Sequence, residues 1–468
     1  MDQIKKDVPR EIIDDFAKEI ATCQRPGPKP QKAVIDFRTE QKDGFEREVY
    51  YVPAELLRYR KDNGRISSDI LNYEKEHGVL DEKSEQAQKI IRGFLEQKDR
   101  EKTEVLIRAL EHEGQRDPAI ITCDGFLING NRRKVALERL QDKHKGASQF
   151  ADMRVVILPG KGDPGGPPTQ LEIEEIENRY QLQSEGKAEY YAFDRALSMR
   201  RKIANGMSLE HQLRDDPNYA RLDERKFEEA VKKTEAEYLK PLECIDRYLA
   251  SLGKEGLYSI ISTGMADREG RWQAFYDYYK SVYQKLENNK QRMKLGIEED
   301  EIGDIEDAAF KIIRMREIPD MPNVKVHMII RNYSKWISND NARKELVKLV
   351  NIEPEMPYED IIDENGNECP PREIDKRWAK KHKTQVTKHV KNARNLFERR
   401  KERETPIGLL KSALKQLNHE NMRPANVAIS NYSEAMKIAR EIQNRANDIE
   451  HEFYGYQKQF KSHADKNN

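Results

Sequence analysis

Between Ala119 and Leu140 the pattern of apolar and polar positions changes period once. Ala119-Ile120-Ile121 and Leu127-Ile128 are short apolar runs on either side of Asp124-Gly125, a dipeptide suited to the positive φ of a tight turn, so this stretch predicts a β-hairpin. From Gly130 onward Val135, Ala136, Leu137 and Leu140 recur at helical spacing. The second strand therefore feeds a helix whose first turn holds Asn131, Arg132 and Arg133. Backbone N–H groups at a helix start, together with two guanidiniums, suit an anion.

The same reading extends in both directions. Residues 1–22 predict an amphipathic helix with Ile12, Ile13, Phe16 and Ile20 on one stripe, ended by Pro26-Gly27-Pro28. Residues 34–38 and 48–52 flank Asp43-Gly44 as a second hairpin, and Pro53 opens a helix over 54–59. Residues 66–100 predict a helical pair joined around Gly78, residues 101–113 a helix and residues 152–158 an apolar strand. The Gly-rich stretch 159–168 contains Gly-Lys-Gly without the Gly-Lys-Ser/Thr ending of a P-loop, and reads as a linker or lid. Beyond residue 170 the periodicity is helical, with Ile312, Ile313, Ile329 and Ile330 as core candidates. After Pro406, helices over 407–418 and 424–460 carry apolar stripes at Leu409, Leu410 and Leu417 and at Ala435, Ile438, Ile442, Ile449 and Phe453. Those stripes suit a helical hairpin or an oligomerisation element.

The expected class is α+β. An N-terminal helix and linker (1–30) precede a small mixed α/β domain (31–169, with a helical insert at about 66–100). A helical domain (170–290), a helical region (291–371) and a basic helix with a C-terminal hairpin (372–468) follow.

Composition narrows the chemistry. The 468 residues hold 84 basic and 84 acidic side chains, so no global field draws the protein onto nucleic acid or an anionic membrane. Any such contact belongs to a local patch. Residues 372–403 are the strongest one, with Lys380, Lys381, Lys388, Lys391 and Arg394 among many cations and with Trp378 and Phe397 interleaved. They predict a positive ridge suited to tracking DNA phosphates. The acidic run Glu298–Glu301 reads as solvated, and residues 363–367 as a surface turn that fails calcium-loop spacing. Four dispersed cysteines with no Cys-x-x-Cys argue against a structural zinc site or a disulfide framework. A cytoplasmic setting is expected, since neither a signal-peptide core nor a membrane-length apolar run is present.

Three boxes carry a family likeness. Asp124-Gly125 with Ile128-Asn129-Gly130-Asn131-Arg132-Arg133 and Ala136 resembles the phosphate-binding box of the ParB/sulfiredoxin superfamily. Upstream, Leu106–Pro118 resembles the ParB helix that ends before the central strand. Downstream, Ile176-Glu177-Asn178-Arg179-Tyr180 with Glu185 and Glu189 resembles the Glu-Asn-x-x-Arg box that supplies magnesium ligands. The likeness covers roughly residues 49–260. It implies a nucleoside triphosphate, CTP or ATP, held by Gly130, Asn131, Arg132, Arg133 and Arg65, with Asn63 nearby and with Gly114 and Gln115 framing the base or ribose. It further implies Mg2+ on Glu177 and Asn178, a homodimer, and a DNA-associated, nucleoid-linked switch in partition, plasmid maintenance, regulation or defence. Gly206–Leu213 resembles the start of the family's helix-turn-helix, yet Arg214-Asp215-Asp216-Pro217-Asn218 replaces its recognition helix.

Two other classes stay open. A ParB-fold enzyme would act as a slow NTPase, phosphotransferase or nuclease. Sulfiredoxin chemistry is excluded, because Asn131 stands where that turn needs its cysteine, and Cys123 reads as structural. A nucleic-acid-binding scaffold without nucleotide is the third class.

Overall fold

The computed structural model describes residues 8–27, 31–35, 37–38, 46–98, 100–144, 148–182, 192–261, 265–318, 325–364 and 366–464. The fold is mixed α+β, mostly helical with one small mixed sheet. Strands β1 (Arg25–Pro26), β2 (Lys32–Val34), β3 (Glu46–Pro53), β4 (Ala119–Ile121), β5 (Leu127–Asn129) and β6 (Asp152–Ile157) form it in the order β1-β3-β6-β4-β5, with β2 paired to β3. β6 joins the two halves. It runs antiparallel to β3, with Val49 opposite Val156, and parallel to β4, with Ile120 opposite Val156.

Strand side chains alternate between faces, and here both faces are covered. Ala119, Ile121, Leu127 and Val155 enter one apolar core with Ile70 of α2 (Ser67–His77), Ile91 and Leu95 of α3 (Glu85–Gln97) and Ile107 and Leu110 of α4 (Arg100–Glu113). Val135, Ala136, Leu137 and Leu140 of α5 (Asn131–Lys143) join them, as their spacing predicts. Ile120, Ile128 and Val156 enter a second core with Ile35, Phe37 and, from α6 (Gln170–Leu182), Ile173 and Ile176.

Several boundaries differ from the sequence expectation for identifiable reasons. The first helix, α1, spans only Asp14–Cys23. Residues 1–7 lie outside the described residues, and residues 8–13 are not helical because their backbone groups bond elsewhere: Arg10 N–H to the Pro168 carbonyl (2.9 Å) and Ile13 N–H to Asp124 Oδ2 (3.1 Å). The second hairpin pairs Val34 with Glu46, while its Asp43-Gly44 turn lies outside the described residues. The helix expected over 54–59 is a single 3-10 turn, Ala54–Leu56, since Arg58 pairs by both backbone groups with Gly125 and Leu127 of the other hairpin. The 159–168 loop is anchored rather than loose. Asp163 accepts from Gly160 N–H (2.6 Å), and Arg38 donates to the Gly166 and Pro167 carbonyls.

The helical part of the first compact unit, residues 1–395, begins with α7 (Ala192–Ala204). Then come α8 (Leu209–Arg214), α9 (Pro217–Ala220), α10 (Glu224–Thr234), α11 (Lys240–Ser251), α12 (Met265–Tyr278), α13 (Gln284–Glu287) and α14 (Asn289–Lys294). Next are α15 (Ile302–Arg314), α16 (Val326–Ile337), α17 (Asp340–Val347) and α18 (Tyr358–Ile361). Ser208, Asp216 and Asp223 accept from the backbone at the starts of α8, α9 and α10, so capping chops this region into short pieces. A long recognition helix does not follow α8. The last helices are α19 (Pro371–Leu417), which runs through Pro406, and α20 (Tyr432–Ala464). The helices expected over 407–418 and 424–460 are thus the end of α19 and a shorter α20. Two 3-10 turns, Pro424–Asn426 and Ile429–Asn431, occupy the intervening positions. Residues 396–468 form a second compact unit. Among the described residues no helix is long and apolar enough to cross a membrane.

Candidate functional site

β5 runs directly into α5 through Gly130, whose φ of 105° lies in the left-handed region. A Cβ there would sit 2.6 Å from Ala119 Cβ and 3.1 Å from Met153 Cε, so only glycine lets the strand turn this sharply beside β4. No side chain caps the helix start. Asn131, Arg132 and Arg133 form its first turn and open onto a cavity of about 480 Å³.

The cavity gathers residues from many parts of the chain. Asn63 and Arg65 reach it from the loop before α2, where the Asn63 side chain accepts from Arg65 N–H (3.0 Å) and fixes the turn. Leu95 and Lys98 come from the end of α3, and Lys102, Val105, Leu106 and Ala109 from one face of α4. Asp117, Ile128 and Asn129 complete the sheet side, and Glu177 and Tyr180 of α6 close the site. The expected residues Arg65, Gly130, Asn131, Arg132, Arg133 and Glu177 therefore share one cavity. Gly114, Gln115 and Asn178 do not line it. Gln115 instead bonds β6, accepting from Arg154 N–H and donating to its carbonyl, both at 2.8 Å. Gly114 ends α4 with a φ of 75°.

The lining mixes charge with apolar surface. Arg65, Lys98, Lys102, Arg132 and Arg133 face two carboxylates, Asp117 and Glu177, so the lining carries a positive excess. Arg133 donates to the Asp117 carbonyl, which holds its guanidinium against the wall. Lys98 bonds Asp69 (2.9 Å) and Asp194 (3.0 Å). Asn131 is buried, and its side-chain oxygen has no hydrogen-bond partner, which leaves an acceptor suited to a hydroxyl or amino group. Leu95, Val105, Leu106, Ala109, Ile128 and Tyr180 supply an apolar wall. Cations suited to phosphates and apolar surface suited to a flat ring thus meet in one cavity.

Glu177 also belongs to a buried ionic network. Its Oε1 accepts from Gly64 N–H (3.1 Å) and its Oε2 from Arg201 (3.1 Å), with Arg60 at 4.0 Å. Burial alone would raise its pKa, but Arg201 and Arg60 outweigh that and hold the carboxyl below its ordinary value. Glu174, bonded to Arg201 at 3.0 Å, is instead raised by burial. Asn178 Oδ1 accepts from the ammonium of Lys202 (2.8 Å), while its Nδ2 donates to the Gln212 carbonyl (3.0 Å) and Asp215 (3.2 Å). Burial pulls the Lys202 pKa down to about 8, opposed by Glu177 and Glu174. Magnesium wants oxygens in an octahedron with room for its waters. Glu177 and Asn178, turned to an arginine and a lysine, do not fit that ion. Glu185 and Glu189 lie outside the described residues.

Lys98, Lys102 and Lys202 have no role that the sequence alone suggests. Tyr180 had a usable signal, since it follows Glu177 by one helical turn and must share its face. Cys123 is packed beside Gly160, and burial and Asp124 push its thiol up to about 11, which keeps it protonated and inert. On α19, Lys380, Lys381, Lys388 and Arg394 are exposed and Lys391 half-buried. At 3.6 residues per turn these five fall within an arc of roughly 140°. Trp378, Ala379, Val386, Val390 and Ala393 are buried on the opposite side. No protein-family model matches the chain, and neither a curated protein nor a solved structure does.

Proposed function

We propose that this chain is a nucleotide-binding, DNA-associated protein of ParB/sulfiredoxin type, with the Gly130 cavity taking the triphosphate of CTP or ATP. The observation that carries the reading is the meeting of Arg65, Lys98, Lys102, Arg132 and Arg133 around a glycine-started helix on one cavity of nucleotide size. Guanidiniums match phosphate oxygens bidentately, and the apolar wall of α4 offers a surface for a base. Arg132→Ala or Arg133→Ala should each weaken binding by about 1.5–3 kcal/mol, the worth of a hydrogen bond to a charged group. Isothermal titration with CTP, ATP and GTP provides the measurement. Mutant affinities equal to the parent's would remove the nucleotide reading. Turnover to a diphosphate or a transferred phosphoryl group would favour the enzyme instead, and no binding would favour the scaffold.

The DNA part of the reading rests on the exposed arc of Lys380, Lys381, Lys388 and Arg394, in a chain of zero net charge. Charge reversal at Lys380, Lys381, Lys388 and Lys391 should weaken binding to unrelated duplexes alike. The slope of log affinity against log salt should flatten by roughly 0.9 for each phosphate that the variant no longer neutralises. Fluorescence anisotropy at several salt concentrations reads both effects, and an unchanged slope would reduce the ridge to a solvated face. The homodimer is supported by α20, where Ile438, Ile442 and Phe453 of the apolar stripe are 49%, 41% and 49% exposed. A second copy would cover them.

A further inference from the structure

Lys98 lines the Gly130 cavity, and its ammonium is held by two carboxylates that do not, Asp69 at 2.9 Å and Asp194 at 3.0 Å. We propose that the Lys98–Asp194 pair is an autoinhibitory contact: α7 holds back one of the five cations on the lining, and a polyphosphate binds at full strength only when Lys98 leaves Asp194 for it. This rests on the nucleotide reading and names the regulation of that site.

The lysine can move and the aspartate is fixed. Lys98 follows the last residue of α3, and its four-carbon stem can swing the ammonium between neighbouring anions. Only 11% of its side chain is exposed, so its charge needs an anionic partner wherever it rests. The two carboxylates are that partner in the structure, and phosphate oxygens in the cavity would compete for the same ammonium. Asp194 is held from two sides. Its Oδ1 accepts from Ser68 Oγ in the first turn of α2 (2.7 Å). Its neighbour Phe193 is buried, with its ring centre 5.6 Å from that of Tyr258 and 6.1 Å from that of Trp272, which anchors the start of α7 among the later helices. Arg201, two turns further along the same face of α7, donates to Glu177 on the cavity wall (3.1 Å). One face of α7 therefore grips a cation and an anion of the lining. Coupling of this kind is reciprocal, so a ligand that takes Lys98 weakens the grip of α7, and a weaker grip strengthens the ligand. Asp194 is a positioning residue. It acts through Lys98.

The experiment measures binding of CTP, ATP and inorganic tripolyphosphate to the full chain, to Asp194→Asn and to the double variant Lys98→Met, Asp194→Asn. Although position 194 does not line the cavity, Asp194→Asn should bind all three about fivefold or more tighter than the parent. The amide fits the same space and can still accept from Ser68, and Lys98 keeps Asp69, so no charge is stranded and the fold should persist. Should that variant fail to fold, Asp69→Asn, alone and with Lys98→Met, carries the same readout. The double variant should bind no tighter than the parent, since the lysine that Asp194 releases is gone. A folded Asp194→Asn that gains less overturns the autoinhibitory contact while sparing the nucleotide site. A double variant that still binds tighter than the parent overturns it as well, because the gain then comes from the lost negative charge alone. Absence of binding by the parent and every variant overturns both readings together.

Discussion

Alanine at position 130 should destabilise the protein by roughly 2–6 kcal/mol and abolish the nucleotide binding proposed for its cavity. About 1–3 kcal/mol comes from holding a side-chain-bearing residue in the left-handed region, and roughly as much again from overpacking. The added methyl would meet Ala119 Cβ at 2.6 Å, and Ala119 is itself fixed on β4, between β5 and β6. Relief would require β4 and α5 to separate, which moves the first turn of α5 and with it Arg132 and Arg133. Gly114→Ala is the control, because that glycine has a φ of 75° but nothing within 4 Å of its added Cβ. Urea denaturation of both variants separates strain from collision. If Gly130→Ala proves no less stable than Gly114→Ala, the close approach to β4 does not constrain the turn.

Arg10→Met should cost about 3–5 kcal/mol, the penalty for stranding a buried charge. Asp124 is fully buried in the hairpin turn and accepts twice from Arg10 Nη1 (2.7 and 2.8 Å), from Thr122 Oγ1 (2.6 Å) and from Ile13 N–H (3.1 Å). The guanidinium also lies 4.5 Å from the Phe126 ring centre, so a methionine keeps some of the packing and loses the charge. Asp124→Asn in the Arg10→Met background should recover much of the loss, because an amide does not strand a charge. Denaturation of the two single variants and the double variant closes the cycle. A cost under about 1 kcal/mol for Arg10→Met would place the pair among weak surface bridges.

What was legible in the sequence follows the range of the forces involved. The Asp124-Gly125 turn, the Gly130 switch to helical period and the α5 core face are set by neighbours a few residues away, and all three stand in the structure. Helices α2, α3 and α4 were legible for the same reason. Arg10 and Asp124 are 114 positions apart, and no local pattern joins them. The turn at Ala54–Leu56 had a helical spelling that a long-range backbone pairing overrode. Pro406 sits within α19, since one missing hydrogen bond weakens a helix without obliging it to end. At the cavity, the spelling of β5 and α5 pointed to Gly130, Arg132 and Arg133. The α4 wall and the Lys202 contact depend on packing between distant elements, which period and composition do not encode.

The place of β6 in the sheet bears on the order in which the domain can assemble. β2 and β3 form one hairpin and β4 and β5 another, and β6 lies between β3 and β4 in the sheet. During synthesis both hairpins can close early, because their pairings are short-range. Apart from the Arg58 pairing with Gly125 and Leu127, the two are not joined in the sheet until Asp152–Ile157 has emerged, and contacts that span so much chain are slow to form. Until then Ala119 and Met153, the two groups packed on Gly130, have not met, so the arginines of α5 wait on a strand that follows them in the chain. A nascent chain stalled before β6 would therefore show two hairpins to chaperones and no Gly130 cavity.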